Sequence, residues 1–155
     1  MNTDELKKAC LDIMKVSEAV YLTSMGTDGY PFTRAILNLR NTQDYPRLVP
    51  FFNDHQLDFM VLISTNTSSN KIEQIKNNPR VNLYYCDPPT FRGLMLLGDI
   101  EMVDDTRLRH LVWEEGSEKY YPKGADDPDH SILRLFPKSA RGWYEQEKYE
   151  LELNS

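Results

Sequence analysis

Hydrophobic side chains recur every three or four positions along the first sixteen residues. This spacing places them on one face of a helix, with Lys and Asp side chains on the opposite face. The apolar members of this face are Leu6, Ala9, Cys10, Ile13 and Met14. The pattern predicts an amphipathic helix from Thr3 to Val16 that covers a hydrophobic core.

After this helix the pattern changes to that of β-strands. Residues 19–25 and 30–40 are rich in β-branched and aromatic side chains, and the Gly-Thr-Asp-Gly sequence between them predicts the tight turn of a hairpin. Gly93 and Gly98 lie in a long predicted strand, where we expect bends or bulges that curl the sheet. The further predicted strands are residues 59–63, 81–86, 91–103, 131–136 and 141–146.

Helical or irregular segments separate these strands. Residues 41–58 mix turn formers with large apolar residues, which is typical of a loop or an irregular short helix. Capping residues precede residues 72–76, so a short helix is expected to begin near Ser69. A further helix is expected to open at Asp104-Asp105 and to run through Trp113, with Gly116 ending it.

The order of these elements predicts one mainly β (α+β) domain over residues 1–155. About six strands in hairpin order, with short helices between them, favour a closed antiparallel barrel with peripheral helices. Residues 1–17 contribute the N-terminal helix, and residues 148–155 are interpreted as a dispensable tail. A chain of 155 residues with 40% hydrophobic side chains can bury one sizeable core.

The charge distribution disfavours nucleic acid as a partner. The net charge of -6 arises from residues 98–155, and no cluster of Lys or Arg is interleaved with aromatic residues. No apolar run approaches the ~20 residues of a membrane span. The N-terminus lacks the apolar core of a secretory signal, so a cytoplasmic location is expected. Cys10 and Cys86 are isolated, which predicts neither a disulfide nor a zinc site, and both are expected to be buried.

The segment Ser64-Thr-Asn-Thr-Ser-Ser-Asn-Lys71 joins a predicted strand to a predicted helix. The free N–H groups at a helix start bind phosphate, and Ser and Lys side chains can complete such a site. The alternative is that Ser68 or Ser69 only caps the helix while Lys71 is solvated. The missing glycines exclude a Walker motif.

Arg34 lies in a strand among apolar neighbours, where a guanidinium requires an anion or a set of carbonyl groups as its partner. A phosphate held jointly by Arg34 and Lys71 meets this requirement. An Arg on the outer face, paired with a carboxylate, meets it equally well.

The remaining candidates give weaker signals. His55, His110 and His130 show no metal-ligand spacing, and no Ser/His/Asp order stands out. Trp143 is either core or interface filler, or a surface against which a flat cofactor rests. We therefore predict no metal site and assign no catalytic residue.

The order and spacing of these motifs resemble the pyridoxamine 5'-phosphate oxidase-like FMN-binding split-barrel superfamily, particularly its small general-stress-protein-like members. The resemblance covers about residues 5–146. Its motifs are the strand 19–25, the GTDG turn, PFTRAI at 31–36, the strand 59–63, STNTSSNK at 64–71, NPRV at 78–81, LLGDIE at 96–101 and Trp143.

The resemblance implies a six-stranded split β-barrel homodimer with FMN in two equivalent clefts between the subunits. It implies that Arg34, Ser69 and Lys71 contact the FMN phosphate, and that Trp143 approaches the flavin from the partner subunit. The residues that the resemblance places beside the isoalloxazine ring are Ala35, Ile36, Leu37, Ser64 and Thr65.

Two departures from the family pattern qualify this reading. Asn70 stands where the family's phosphate-binding segment has Arg. The chain after Trp143 contains four glutamates and neither Arg nor His, so it lacks the segment with which the true oxidases hold their phosphorylated substrate. The expected function is an FMN-binding oxidoreductase or electron carrier with an unknown substrate. The alternatives are a deazaflavin or haem in the same barrel, with His110 or His130 contacting haem, or a non-enzymatic stress-response module.

Overall fold

The computed structural model describes residues 1–153, which contain eight β-strands and four α-helices. Three short 3-10 turns lie at Pro46–Leu48, Pro88–Thr90 and Ser117–Lys119. The helices are α1 (Thr3–Val16), α2 (Val49–Asn53), α3 (Asn70–Asn77) and α4 (Thr106–Val112). The strands are β1 (Ala19–Met25), β2 (Pro31–Leu37), β3 (Val61–Asn66), β4 (Arg80–Asp87), β5 (Arg92–Val103), β6 (His130–Leu135), β7 (Ser139–Tyr144) and β8 (Glu147–Glu152).

Helix α1 has the predicted bounds. Asn2 caps it, because the side-chain oxygen of Asn2 accepts a hydrogen bond from the Glu5 backbone N–H at 2.8 Å. Cys10, Ile13 and Met14 are buried in the main core, as the helical spacing predicts. Among residues 1–153, no helix has the length and apolar character that crossing a membrane requires.

All strand pairs are antiparallel, and they form a curled half-barrel rather than a closed one. One layer has the order β2-β1-β4-β5-β7-β8, and β5 continues into a second layer with the order β5-β6-β3. Strand β5 changes neighbour along its length, since Leu97 pairs with β7 whereas Ile100 pairs with β6. Through β5 the two layers form one continuous strand order, β2-β1-β4-β5-β6-β3. Strands β2 and β3 lie at its two ends and are not paired with each other, so the barrel is split between them. The sequence-based closed barrel is therefore wrong, and the split barrel is confirmed.

The glycines of β5 make room for neighbours rather than forming bulges. Pairing between β4 and β5 is uninterrupted from Arg80 with Asp99 to Asp87 with Arg92. A Cβ atom at Gly93 would lie 2.2 Å from the Tyr84 hydroxyl. One at Gly98 would lie 2.8 Å from the Leu135 side chain, just before β5 changes neighbour.

The C-terminal segment is a strand, which contradicts its interpretation as a dispensable tail. Strand β8 pairs with β7 along its whole length. Tyr149, Leu151 and Leu153 pack against the main core at alternate positions, and the Tyr149 hydroxyl donates a hydrogen bond to the Gly93 carbonyl at 2.9 Å. The count is therefore eight strands instead of about six. Residues 154 and 155 of the predicted tail lie outside the described residues.

Some element boundaries differ from the predicted ones by a few residues. Strand β3 begins at Val61 because Phe59 has a left-handed backbone, with φ of 57°. Strand β2 ends at Leu37, after which the Asn38 side chain donates hydrogen bonds to two carbonyls at the end of α1. Helix α4 ends at Val112, one residue before Trp113.

The two cysteines are free thiols in different environments. Cys10 is buried in the main core, as expected. Cys86 is only partly buried, which differs from the expectation, because its position in β4 faces the outer side of the sheet.

Candidate functional site

A cleft of about 700 Å³ lies where the barrel is split, between β2 and β3. An edge strand leaves one row of backbone N–H and C=O groups unpaired, and the free edge of β2 lies on the side of this cleft. The loop that follows α4 forms the opposite wall. The lining includes Ala35, Ile36 and Leu37 of β2, Ser64, Thr65 and Asn66 of β3, Lys71 of α3, and Glu114, Glu115, Tyr120 and Tyr121 beyond α4.

The Lys71 ammonium group is held at one end of the cleft. It donates hydrogen bonds to the Thr65 hydroxyl at 2.7 Å and to the Ser69 hydroxyl at 3.0 Å. Ser69 is also the N-cap of α3, because its hydroxyl accepts from the Lys71 backbone N–H at 3.2 Å. The capping role is thus confirmed for Ser69, but Lys71 is not a freely solvated side chain. Ser69 therefore caps α3 and also contacts the ammonium group of Lys71, which lines the cleft.

The Arg34 guanidinium lies across the β1–β2 hairpin and reaches α3. It donates to the Ser24 hydroxyl at 2.7 Å, to the Phe32 carbonyl at 3.0 Å and to the Gln74 side-chain oxygen at 3.1 Å. The sequence predicts that Arg34 has either an anion or a set of carbonyl groups as its partner, and these neutral acceptors correspond to the set of carbonyl groups. The outer-face pairing with a carboxylate is not found among residues 1–153, where no ion pair includes Arg34.

Arg34 and Lys71 together form a partly buried positive site. Burial lowers the pKa of the Lys71 ammonium, and the charge of Arg34 lowers it further. Burial also lowers the pKa of the Arg34 guanidinium. No carboxylate among residues 1–153 pairs with either cation, so neither the desolvation by burial nor the repulsion between the two charges is offset by an ion pair. An anion bound between them would relieve both effects.

The structure brings most of the predicted site residues together. Those that line the cleft are Ala35, Ile36, Leu37, Ser64, Thr65 and Lys71. Ser69 contacts Lys71 directly, and Arg34 lies close enough to perturb its pKa. Asn70 is the first residue of α3 and is exposed.

Trp143 does not line the cleft of its own chain. It lies on β7, paired with Gly93 of β5, and its side chain is 46% exposed. The Lys148 ammonium lies over its ring, 5.3 Å from the centroid. Its predicted approach to a cofactor from a partner subunit stays a prediction.

A Ser–His pair at the cleft was missed by the sequence reading. The Ser64 hydroxyl lies 3.0 Å from His130 Nε2, although the residues are 66 positions apart. Strand pairing places them together, because Ser64 is opposite Ile132 and Asn66 is opposite His130 in the β3–β6 ladder. No local motif signals this contact, so only the register of the two strands could have revealed it.

The other histidines lie away from the cleft. His55 Nδ1 pairs with Asp58 at 2.9 Å, and His110 Nε2 pairs with Asp126 at 2.8 Å. Across residues 1–153, no group of His, Cys, Asp and Glu side chains is arranged to hold a metal ion. The candidate site therefore consists of the cleft, its basic end and the Ser64–His130 pair.

Comparison with known proteins agrees with this architecture. The sequence model described as pyridoxamine 5'-phosphate oxidase matches residues 6–144, which is most of the chain. The chain belongs to this family. Strand β8 begins just beyond the matched range, in the segment that the sequence analysis interpreted as a tail.

Similar proteins cover nearly the same length. General stress protein 26 of Bacillus subtilis (strain 168) is 22% identical over 144 residues, which are 91% of this chain and 90% of that protein. A crystal structure of a Clostridium acetobutylicum protein related to general stress protein 26 has a TM-score of 0.77 and 27% identity, and covers 98% of this chain and 97% of that one. A haem-binding protein from Mycobacterium smegmatis shares the fold, with a TM-score of 0.61, 13% identity, and coverage of 93% and 57%.

Proposed function

We propose that this family member is a homodimeric FMN-binding flavoprotein that acts as an oxidoreductase or electron carrier. The observation that carries the proposal is a pair of partly buried cations at the basic end of the cleft: Lys71 lines the cleft, and Arg34 lies beside it, close enough to lower the pKa of Lys71. Neither has a carboxylate partner among residues 1–153. Two such cations favour a dianionic phosphate, which FMN has at one end and riboflavin lacks.

The rest of the cleft fits the remainder of FMN. Its apolar wall at Ala35, Ile36 and Leu37 suits a flat ring, and the free backbone edge of β2 can exchange hydrogen bonds with the polar margin of that ring. Arg34, Ser69 and Lys71 would hold the phosphate, and Ser64 and Thr65 would lie beside the ring. When bound, FMN supplies one- or two-electron chemistry, while the protein supplies binding, orientation and electrostatics.

The proposed activity differs from oxidation of pyridoxamine phosphate. A dianionic substrate requires a cationic group besides those that hold the cofactor. The segment after Trp143 instead forms the exposed edge strand β8, which alternates apolar residues with Glu150 and Glu152. Its carboxylates would repel a second phosphate.

Haem is a less favoured occupant. Both ring nitrogens of His130 are already engaged, by Ser64 and by the Ala125 carbonyl. His110 is paired with Asp126 and does not line the cleft. Neither histidine is therefore free to ligate an iron from this cleft.

The visible spectrum of the purified protein tests the cofactor. Protein incubated with excess FMN and then separated by gel filtration should retain a flavin spectrum. Retention of a deazaflavin or haem spectrum in place of flavin would identify the other ligand classes. A colourless protein after incubation with each of the three would support a non-enzymatic module.

The homodimer is proposed from the outer face of the larger sheet. Tyr21, Tyr84 and Met95 lie in register on β1, β4 and β5, and they line an apolar hollow on this face. A second copy of the chain would cover this surface. The approach of the partner's Trp143 to the cleft, which the resemblance implies, is part of the same proposal. A cytoplasmic location, expected from the sequence, is part of the proposal.

Light scattering tests the assembly. The wild type should have the mass of a dimer at micromolar concentration, and Met95→Asp should shift it to monomer because it buries a charge in the interface. A monomeric wild type with flavin bound would overturn the dimer.

A further inference from the structure

His130 is a buried side chain with both ring nitrogens hydrogen-bonded. Only 4% of its surface is exposed. Nδ1 lies 2.7 Å from the Ala125 carbonyl oxygen, and Nε2 lies 3.0 Å from the Ser64 hydroxyl. The rings of Tyr121 and Trp113 lie 4.8 and 5.5 Å away between centroids and hold the imidazole in this orientation.

These partners assign the positions of the protons. A carbonyl oxygen only accepts hydrogen bonds, so Nδ1 must carry a proton. In a neutral imidazole the other nitrogen is then an acceptor, and Nε2 receives the Ser64 hydroxyl proton. No carboxylate pairs with His130 among the described residues.

The contact with His130 fixes the hydrogen-bonding role of the Ser64 hydroxyl in the cleft. A free serine hydroxyl rotates and can donate or accept. With its proton committed to His130, Ser64 can only accept at the cleft, which it lines. Ser64 is therefore matched to a ligand group that bears a proton.

We propose that the Ser64–His130 pair makes the cleft favour the reduced form of a bound flavin over the oxidised form. This inference rests on the proposed function. Nitrogen N5 of the isoalloxazine ring is an acceptor when oxidised and carries a proton after two-electron reduction. The resemblance places Ser64 beside the isoalloxazine ring. With N5 facing Ser64, a fixed acceptor there would be complementary to N5 only in the reduced state, and it would repel the lone pair of the oxidised state. His130 acts through Ser64 as a positioning residue.

The test is the midpoint potential of the FMN-loaded protein at pH 8, where an ordinary imidazole is neutral. Ser64→Ala removes the acceptor, and His130→Phe frees the Ser64 hydroxyl while keeping an aromatic ring against Tyr121 and Trp113. Each should weaken reduced FMN relative to oxidised FMN by about tenfold, the effect of one hydrogen bond. For a two-electron couple this lowers the potential by about 30 mV.

Ser131→Ala is the matched control. Ser131 neighbours His130 on β6 and is nearly buried, but its hydroxyl contacts that of Thr67 and does not line the cleft. Its potential should equal that of the wild type. Flavin affinity in the oxidised state, measured in parallel, separates general damage to the site from a selective effect on one redox state.

A second measurement does not require the cofactor. Nitrogen NMR of the apoprotein should show His130 protonated at Nδ1 and bare at Nε2, and Ser64→Ala should shift the Nε2 resonance. The opposite tautomer, or unchanged potentials in both variants with FMN bound, would overturn this inference and leave the flavoprotein proposal standing. Failure of the wild type to bind FMN would overturn both.

Discussion

The basic end of the cleft makes a quantitative prediction about Lys71. Lys71→Met removes the ammonium group but keeps a long, helix-compatible side chain, so α3 should remain intact. The variant should bind FMN more weakly than the wild type and riboflavin about equally, because the two ligands differ in the phosphate.

The structure sets the size of the effect. Lys71 already donates to Thr65 and Ser69, which leaves one N–H for a ligand. A hydrogen bond to a charged partner contributes about 1.5–3 kcal/mol, and ~1.4 kcal/mol is a factor of ten in affinity. The FMN dissociation constant should therefore rise roughly ten- to a hundredfold.

Fluorescence titration of the apoprotein with FMN and with riboflavin measures both affinities. Lys76→Met is the matched control, since Lys76 lies in the last turn of the same helix and is exposed. It removes the same charge from α3 without touching the cleft, and it should change FMN affinity by less than about twofold.

The outcome that refutes this assignment is an equal loss of affinity for FMN and riboflavin in Lys71→Met. Lys71 would then support the ring site or the fold instead of the phosphate. An equal effect of Lys76→Met and Lys71→Met on FMN would instead mean that only the net charge of α3 matters.

Three further predictions concern pH, the C-terminal strand and the substrate. The pKa of Lys71 is lowered, so Lys71 loses its charge at a lower pH than an ordinary Lys does. The preference for FMN over riboflavin should therefore decline in that alkaline range. In Lys71→Arg the preference should persist to higher pH. Because the unfolded chain keeps the Lys71 proton longer, Lys71 contributes a rise in the free energy of unfolding with pH over this window, and the raised pKa values of buried tyrosines such as Tyr149 oppose it. In calorimetry of the apoprotein, the difference between the wild type and Lys71→Met should therefore grow with pH, and a difference that is independent of pH would contradict the shift. Tyr149→Ala should lower the free energy of unfolding by about 3 kcal/mol through lost packing. Glu152→Ala, on the exposed face of the same strand, should change it by less than about 0.5 kcal/mol. Equal denaturation midpoints for the two variants would show that β8 is dispensable. The FMN-loaded protein should release no peroxide at an enzymatic rate when given pyridoxamine phosphate, and turnover in that assay would refute the electrostatic reasoning about β8.

Local patterns determined the elements that depend on neighbours in the chain. The helical spacing gave α1 its bounds, and the serines before Lys71 located the start of α3, because caps and amphipathic faces are set within one or two turns. The strand-to-helix segment and Arg34 likewise pointed to an anion site, since unpaired cations among apolar residues limit the possible partners.

Local patterns gave a wrong prediction where the structure of a segment depends on residues far away in the sequence. The alternation of Tyr149, Leu151 and Leu153 is a strand signal, but glutamates between them made the segment look like a solvated tail. Only pairing with β7 shows that one of its faces is buried in the core. Gly93 was similarly ambiguous, because a bulge and a close contact with Tyr84 require the same residue.

The composition of the site was decided by tertiary structure. The β3–β6 register brings Ser64 to His130, and α3 brings Gln74 to Arg34, over separations of 66 and 40 positions. A sequence specifies these contacts only through the global pairing of strands, in which a shift of one residue would turn every side chain to the other face. Sequence patterns therefore predicted the residue types of the cleft, whereas the fold alone fixed which of them meet.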